Sequence, residues 1–143
     1  MSVARLRVAW ISDFGIEWLP GLPSSLDSLP KDHPMTWQRV LLDEFEKRED
    51  IELHIIVLRK NLRANVRFER HGVSFHVLKT VGGLRAPSFF WLDTILIRRL
   101  LKSLNPDVVH AWGIERGAGL VASRMPYPYV LTIQALVSWY MQE

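Results

Sequence analysis

Short apolar runs rich in β-branched residues alternate along this chain with longer stretches of helical periodicity. The first run, residues 6–11, ends in Ser12-Asp13-Phe14-Gly15, which is turn chemistry directly after a strand. Further strands are predicted at residues 51–58, 73–78, 107–111 and 130–133. Two of these contain apolar runs, typical of strands buried on both faces. The alternation predicts an α/β fold with a mainly parallel sheet of about five strands.

Three helices are predicted between these strands. The first opens at Pro34, because proline suits the first helical turn. Its apolar stripe has three- and four-residue spacing and consists of Trp37, Val40, Leu41 and Phe45. The second runs from a Ser88 N-cap to about residue 104, where Asn105-Pro106 stops it. The third covers roughly residues 115–124.

The connection rules for parallel sheets then limit the topology. Right-handed crossovers favour a first strand in the middle, with the next two strands on one side and the last two on the other. This predicts a single Rossmann-like, three-layer αβα domain over residues 1–143, a length that can bury a core. The strand ending at Ile11 then lies beside the strand ending at His110. Ligands of such sheets bind where these carboxyl ends meet.

The predicted crevice is lined by Asp13, Phe14 and Gly15 on one side and by His110 and Trp112 on the other. His110 could donate to a hydroxyl or phosphate, or act as a base. It could equally be a strand-end histidine bonded to a backbone carbonyl. Trp112 is either a stacking wall for a sugar or a ring that caps the core. Asp13 could also be a simple turn residue.

Two further polar residues are candidates at this edge. Glu115 could hydrogen-bond a sugar hydroxyl, although an acidic residue is also favourable at a helix start. Gln134 follows the last strand and adds a weaker signal. The sequence contains neither a dinucleotide-binding nor a Walker glycine motif, and no spacing typical of metal ligands. We therefore predict no metal and no bound cofactor.

Charge and composition restrict the partners. The chain has a net charge of +3, no cysteine and no apolar run long enough for a membrane span, which fits a cytoplasmic protein. The basic segment 59–70 is most simply a solvated loop, although it could meet phosphates or an anionic membrane. With Trp18, Leu19 and Leu22 of the long loop 13–33, it could attach the protein peripherally to a membrane. No nucleic-acid-binding signature accompanies the charge.

Three motifs resemble the N-terminal domain of GT-B-fold retaining glycosyltransferases of the family 4, or group 1, type. They are LRVAWISD at residues 6–13, PDVVHAWG at 106–113 and VLTIQ at 130–134. His110 matches the first histidine of the family's His-x-His-Gly motif, and Trp112 replaces the second. Gln134-Ala135 stands where members often have histidine-glycine. Only Gly15 lies near the family's Gly-Gly pair in the first loop.

The resemblance implies transfer of a sugar from a nucleotide-sugar donor to a sugar or lipid-linked acceptor hydroxyl, with retention and without a required metal. His110 would then be catalytic, and the loop of Asp13, Phe14 and Gly15 would approach the donor diphosphate. Trp112, Glu115 and Gln134 would face the acceptor. The family's donor-binding C-terminal domain is absent from the sequence, so we expect no turnover by this chain alone.

Two more expectations follow. The last strand would be a sheet edge, through which two copies could pair as a homo-oligomer. The alternative to a glycosyltransferase half is a stand-alone, flavodoxin-like module that binds a small phosphorylated or glycosylated ligand without catalysis.

Overall fold

A computed structural model of the chain describes residues 4–31, 34–114 and 116–133. These residues form a mixed α/β structure with a six-stranded, mostly parallel sheet flanked by helices. The elements in chain order are β1 (Leu6–Ile11), α1 (Thr36–Phe45), β2 (Ile51–Arg59), β3 (Val66–Arg70), β4 (Val73–Lys79), α2 (Trp91–Leu104), β5 (Val108–Trp112), α3 (Ala118–Ser123) and β6 (Tyr129–Thr132).

The strand order is β3-β4-β2-β1-β5-β6, with β1 in the interior of the sheet. The predicted neighbours of the first strand are confirmed, because β1 pairs in parallel with β2 on one side and with β5 on the other. Trp10 lies opposite His110 in the β1–β5 register, and Ile11 lies opposite Ala111. The carboxyl ends of these strands therefore meet at one edge of the sheet, as the sequence predicts.

The predicted count of five strands is wrong, because Val66–Arg70 forms a sixth strand, β3, antiparallel to β4. The sequence favours a solvated basic loop for this segment. Its residues alternate between half-buried and exposed, with Phe68 stacked on Phe75 at 4.8 Å between ring centroids. Such alternation is typical of an edge strand with one face on the core. The many charged residues of the segment suggest a loop, which is why its alternating strand pattern was not recognised.

The sheet buries a hydrophobic core on each face. On one face, Trp10, Ile55 and Phe75 pack with α1 and with the segment that follows β1. On the other face, α2 and α3 cover the sheet through side chains such as Ile97 and Val121. Successive residues of β1 and β2 contribute to opposite cores, which explains why residues 8–11 of β1 and 55–58 of β2 are continuously apolar.

The predicted apolar stripe of α1 is only half correct. Leu41 and Phe45 pack against the core, but Trp37 and Val40 are 46% and 65% exposed. The helix is fully buried instead at Leu42 and at the polar Gln38. The Gln38 side chain accepts a short hydrogen bond from the Ser12 hydroxyl. The Gln38 amide can be buried at this position because its hydrogen-bond partner, Ser12, directly follows β1.

The second helix begins later than predicted. Ser88 is not its N-cap: the Ser88 hydroxyl donates to the Arg85 carbonyl at 2.8 Å, and the helix starts at Trp91. The predicted end is confirmed, because α2 ends at Leu104 with Asn105 in the left-handed region at φ 47°. The third helix spans Ala118–Ser123 and is shorter than predicted.

The segment after β1 is built into the core. It contains two short 3-10 helices, Ile16–Trp18 and Ser24–Leu26, and buries apolar side chains including Leu19, which is 5% exposed. Leu22 also packs partly against the core, whereas Trp18 is 45% exposed. The three residues predicted for membrane contact thus do not form one exposed apolar surface. Within the described part of the chain, no helix is long and apolar enough to cross a bilayer.

Candidate functional site

A cleft of about 350 Å³ opens where β1, β2 and β4 end. Its floor and walls come from the segments that directly follow these strands and from Arg116, which follows β5. The residues that line it are Asp13, Gly15, Glu17, Leu29, Pro30, Met35, Leu58, Arg59, Lys60, Asn61, Thr80, Gly82, Arg85 and Arg116. The cleft lies at the edge of the sheet that the strand order predicts for ligand binding.

Arg59, the last residue of β2, forms one wall and is held on several sides. Its guanidinium donates a short hydrogen bond to Glu17 and lies 3.5 Å from a carboxylate oxygen of Asp13. It also donates to the backbone carbonyl of Phe14 at 2.7 Å. Since Glu17 and Arg59 are both largely buried, this pair ties the segment after β1 to the end of β2. The wall is therefore rigidly positioned.

Asp13 connects the two sides of the sheet edge. One carboxylate oxygen faces Arg59, and the other lies 2.5 Å from Nη1 of Arg116. The predicted turn residue thus bridges two cations, one on the β2 side and one on the β5 side. Arg116 remains 67% exposed, so this pair is open to solvent and to ligands.

Arg85 closes the cleft on the side of α2. Its guanidinium makes a two-pronged contact with Asp93, with distances of 2.9 and 3.2 Å from Nε to the two carboxylate oxygens. Asp93 is 1% exposed, which makes it a buried anchor. Its contact with Arg85 fixes the loop before α2.

Lys60 differs from the three arginines of the cleft. Each arginine is paired with a carboxylate, whereas Lys60 has no ion pair or hydrogen-bond partner for its side chain among the described residues. Its stem crosses Gly82 so closely that a Cβ at Gly82 would lie 2.8 Å from Cδ of Lys60. Lys60 therefore supplies the uncompensated positive charge of the cleft.

Thr80 contributes a hydroxyl without a partner. The residue follows β4, is 5% exposed and lines the cleft, and its Oγ1 makes no hydrogen bond within the described structure. Its backbone N–H donates to the carbonyl of Arg59 at 3.0 Å, which places it beside Lys60. A buried hydroxyl without a partner costs folding free energy, so such groups call for an explanation.

His110 and Trp112 project from the same face of β5, as predicted, and their rings stack with centroids 4.4 Å apart. Nε2 of His110 lies 2.7 Å from the Thr132 hydroxyl, and burial lowers the pKa of the imidazole. Trp10 packs edge-on against both rings. Neither His110 nor Trp112 lines the 350 Å³ cleft at the ends of β1, β2 and β4.

Trp112 does line a narrower cavity of about 30 Å³ that shares Asp13, Arg85 and Arg116 with the cleft. Its indole N–H is buried and makes no hydrogen bond among the described residues. The tryptophan thus adjoins the site through its cavity, while His110 is engaged by its neighbours in the sheet.

The predicted loop of Asp13, Phe14 and Gly15 is divided between site and core. Asp13 and Gly15 line the cleft, but the Phe14 side chain is 2% exposed and packs near Phe75. Only the backbone of Phe14 takes part, as the acceptor for Arg59. The acceptor-facing predictions Glu115 and Gln134 lie outside the described residues.

Sequence reasoning does not place Lys60, Thr80, Arg85 and Arg116 at this edge, although it leaves open that the basic segment 59–70, which contains Lys60, meets phosphates. Two of them had a usable signal, because Lys60 and Thr80 each directly follow a buried strand at the carboxyl edge. Arg85 and Arg116 lie in connecting segments whose paths the sequence does not define. In the described part of the chain, no group of three or more acidic or histidine side chains is placed to hold a metal ion.

Comparisons of this chain with protein-family models, with curated proteins and with solved structures found no match.

Proposed function

We propose that this chain is the Rossmann-like, acceptor-side half of a GT-B-type retaining glycosyltransferase. The observation that carries the proposal is the cleft at the carboxyl ends of β1, β2 and β4, beside the point where the strand order reverses. The motifs at residues 6–13, 106–113 and 130–134 add the resemblance to the family. In this proposal the donor is a nucleotide sugar held chiefly by a second domain.

The cleft has the chemistry that a polyhydroxylated acceptor needs. Charged and amide groups such as Asp13, Asn61 and Arg116 line it next to apolar surface from Leu29 and Pro30. Polar groups fixed by ion pairs can bond sugar hydroxyls without reorganising, and the apolar wall can contact a sugar face. The part of the Asp13–Gly15 loop that faces the cleft would approach the donor diphosphate.

The catalytic role of His110 stays a prediction. Its lowered pKa favours a neutral ring at pH 7, which can both donate and accept a hydrogen bond. Its contacts with Thr132 and Trp112 make it suited to holding the end of β5 in position. Substituting His110 with glutamine should therefore alter the affinity for acceptor less than filling the cleft does.

Saccharide binding by the purified 143-residue chain tests the proposal. Saturation-transfer NMR with a panel of mono- and disaccharides should give signals for at least one sugar. Asn61→Trp should abolish them, because Asn61 is an exposed cleft residue and an indole there fills the space. The control is Lys79→Trp, which adds the same ring at an exposed residue outside the cleft. Equal loss in both variants, or no signal from any sugar, would contradict the proposal.

Turnover is a separate expectation. If the donor site belongs to a second domain, this chain alone should transfer no sugar from a nucleotide-sugar donor. Enzyme-dependent transfer by the purified chain would overturn this division of labour while leaving the acceptor cleft in place.

A stand-alone ligand-binding module of flavodoxin-like shape is the second candidate. The ammonium of Lys60 and the hydroxyl of Thr80, which have no partner in the part of the chain that the structure describes, favour it, since both could recognise an anion without any catalysis. The candidates differ in one result: only a glycosyltransferase half should support sugar transfer once a donor-binding domain is joined to it.

A further inference from the structure

We propose that the β2–β4 side of the cleft is a phosphate-binding site, formed by Lys60, Thr80 and Arg85. The inference deepens the proposed function, on which its biological meaning rests, because it gives the acceptor an anionic phosphate group. Phosphate binding itself can be measured on this chain whatever the result of saccharide or transfer experiments.

Charge is the first feature that distinguishes this site. Among the described residues, three of the four cations that line the cleft are paired with carboxylates, and Lys60 is not. An unpaired lysine is common on protein surfaces, so the charge alone does not define a binding site. This lysine, however, lines a concave site, and its stem passes close to Gly82.

The hydroxyl of Thr80 is a second feature of this site, and it does not depend on charge. Thr80 lies next to Lys60 across the β2–β4 pairing, because its N–H bonds the Arg59 carbonyl. Thr80 lines the cleft, and its buried hydroxyl has no partner among the described residues. In the proposed site, a rotation about its Cα–Cβ bond turns the hydroxyl towards the bound oxygen anion. Phosphate oxygens accept from both hydroxyl and ammonium donors.

Arg85 supplies the third donor. Nε and Nη2 are held by Asp93, which leaves Nη1 without a partner among the described residues. The buried carboxylate fixes the plane of the guanidinium before any ligand arrives. An arginine positioned in this way can bind a phosphate oxygen with little loss of entropy.

Inorganic phosphate is the first probe, titrated into the purified chain and followed by the amide resonance of Asn61, which lines the cleft. We expect saturable binding that weakens about tenfold in Lys60→Gln, which loses a charge-assisted hydrogen bond. Thr80→Val should also weaken binding, by about fivefold, while its thermal unfolding midpoint stays equal to or above that of the wild type. Weaker binding with undiminished stability is not expected from a purely structural threonine.

Two controls separate this site from general electrostatics. Lys102→Gln removes the same charge from another basic cavity, lined also by Arg98 and Arg124, and should leave binding unchanged. Gly82→Ala keeps every charge but displaces the Lys60 stem, and should weaken binding as Lys60→Gln does. Its matched control is Gly83→Ala, where an added Cβ meets no atom within 4 Å.

The source of the phosphate is decided by competition. A hexose monophosphate that displaces inorganic phosphate more strongly than UDP assigns the site to an acceptor phosphate. The opposite order assigns the same residues to the diphosphate of a donor. Absence of saturable phosphate binding overturns the proposal. So does binding that Lys102→Gln weakens and that Lys60→Gln and Thr80→Val do not affect.

Discussion

At the scale of single residues, the most unusual buried group outside the cleft is a histidine pair. Nδ1 of His54 lies 3.0 Å from Nε2 of His76, and both residues are 4% exposed. Nε2 of His54 lies 2.8 Å from Glu52, which also receives Arg7. With Nε2 of a neutral His54 donating to Glu52, its Nδ1 accepts from His76. Burial first, and then the neighbouring His54, lower the pKa of His76 to about 4.

Because of this histidine pair, we expect the folded protein to lose stability in mild acid. The unfolded chain binds a proton at His76 near pH 6.5, and the folded chain does so only near pH 4. Between these values the unfolded state holds more protons, so the free energy of unfolding falls as the pH falls. We expect His76 to account for about 2 kcal/mol between pH 7 and pH 4.5.

Urea unfolding at the two pH values measures this effect. His76→Gln keeps an N–H donor for His54 but cannot titrate, so its stability should depend less on pH by that amount. His71→Gln is the control, because the His71 side chain is 63% exposed. Identical pH dependence in wild type and His76→Gln would show that His76 does not titrate as proposed.

Residues also differ in how far the sequence could identify them. Asp13 and Gly15 were placed at the site because they directly follow the first strand, and strand ends are readable from apolar runs. The partners of Asp13 were not readable, since Arg59 and Arg116 lie 46 and 103 positions away along the chain. Burial of Phe14 was missed for a related reason. The sequence does not show that the core continues beneath the loop.

At the scale of elements, the β3–β4 hairpin depends on a two-residue turn with positive φ. His71 has φ 48° and Gly72 has φ 78°, which is the geometry of a tight hairpin turn with right-handed strand twist. Glycine adopts this conformation at no steric cost, whereas a residue with a Cβ is strained there.

Gly72→Ala should therefore destabilise the protein by about 1–2 kcal/mol, through backbone strain alone. An added Cβ meets no atom within 4 Å, so no clash contributes. Gly83→Ala is the matched control, because its Cβ is also free of contacts and its φ is not positive. Thermal or urea unfolding of both variants is the measurement. Equal stability of the two variants would contradict the strain argument.

Elements whose burial follows simple periodicity were predictable, and those with mixed patterns were not. The apolar run at residues 55–58 of β2 reveals a central strand directly. In contrast, α1 buries Gln38 and exposes Trp37, so a rule based on hydrophobicity identifies the buried face only in part. The tertiary contact of Gln38 with Ser12 decides the orientation, and no local pattern encodes it.

At the scale of the whole molecule, the strand order could be predicted because connection rules leave few alternatives for a chain of this kind. The antiparallel edge strand β3 could not, since its charges masked its alternation. The opposite edge of the described sheet is β6, with Tyr129 and Val130 about half exposed. Pairing of two copies through this edge stays a prediction.

The same architecture makes the carboxyl edge the place for a site. Segments that follow four strands meet there, and the ion pairs of Asp13 with Arg59 and Arg116 join the ends of three of these strands, β1, β2 and β5. The basic cavity of Arg98, Lys102 and Arg124 borders segments that precede β5 and β6. It therefore lies at the amino ends of these strands, away from the carboxyl edge. This cavity is the alternative place at which an anionic ligand could bind.

Chemical-shift mapping of the amide resonances during titration with a hexose monophosphate locates the binding site. We expect the largest shifts on residues of the cleft, including Gly15, Lys60, Thr80 and Gly82, and smaller shifts in Lys60→Gln. Largest shifts at Lys102 and Arg124, or no saturable shifts at all, would contradict the assignment of the carboxyl-edge cleft as the binding site.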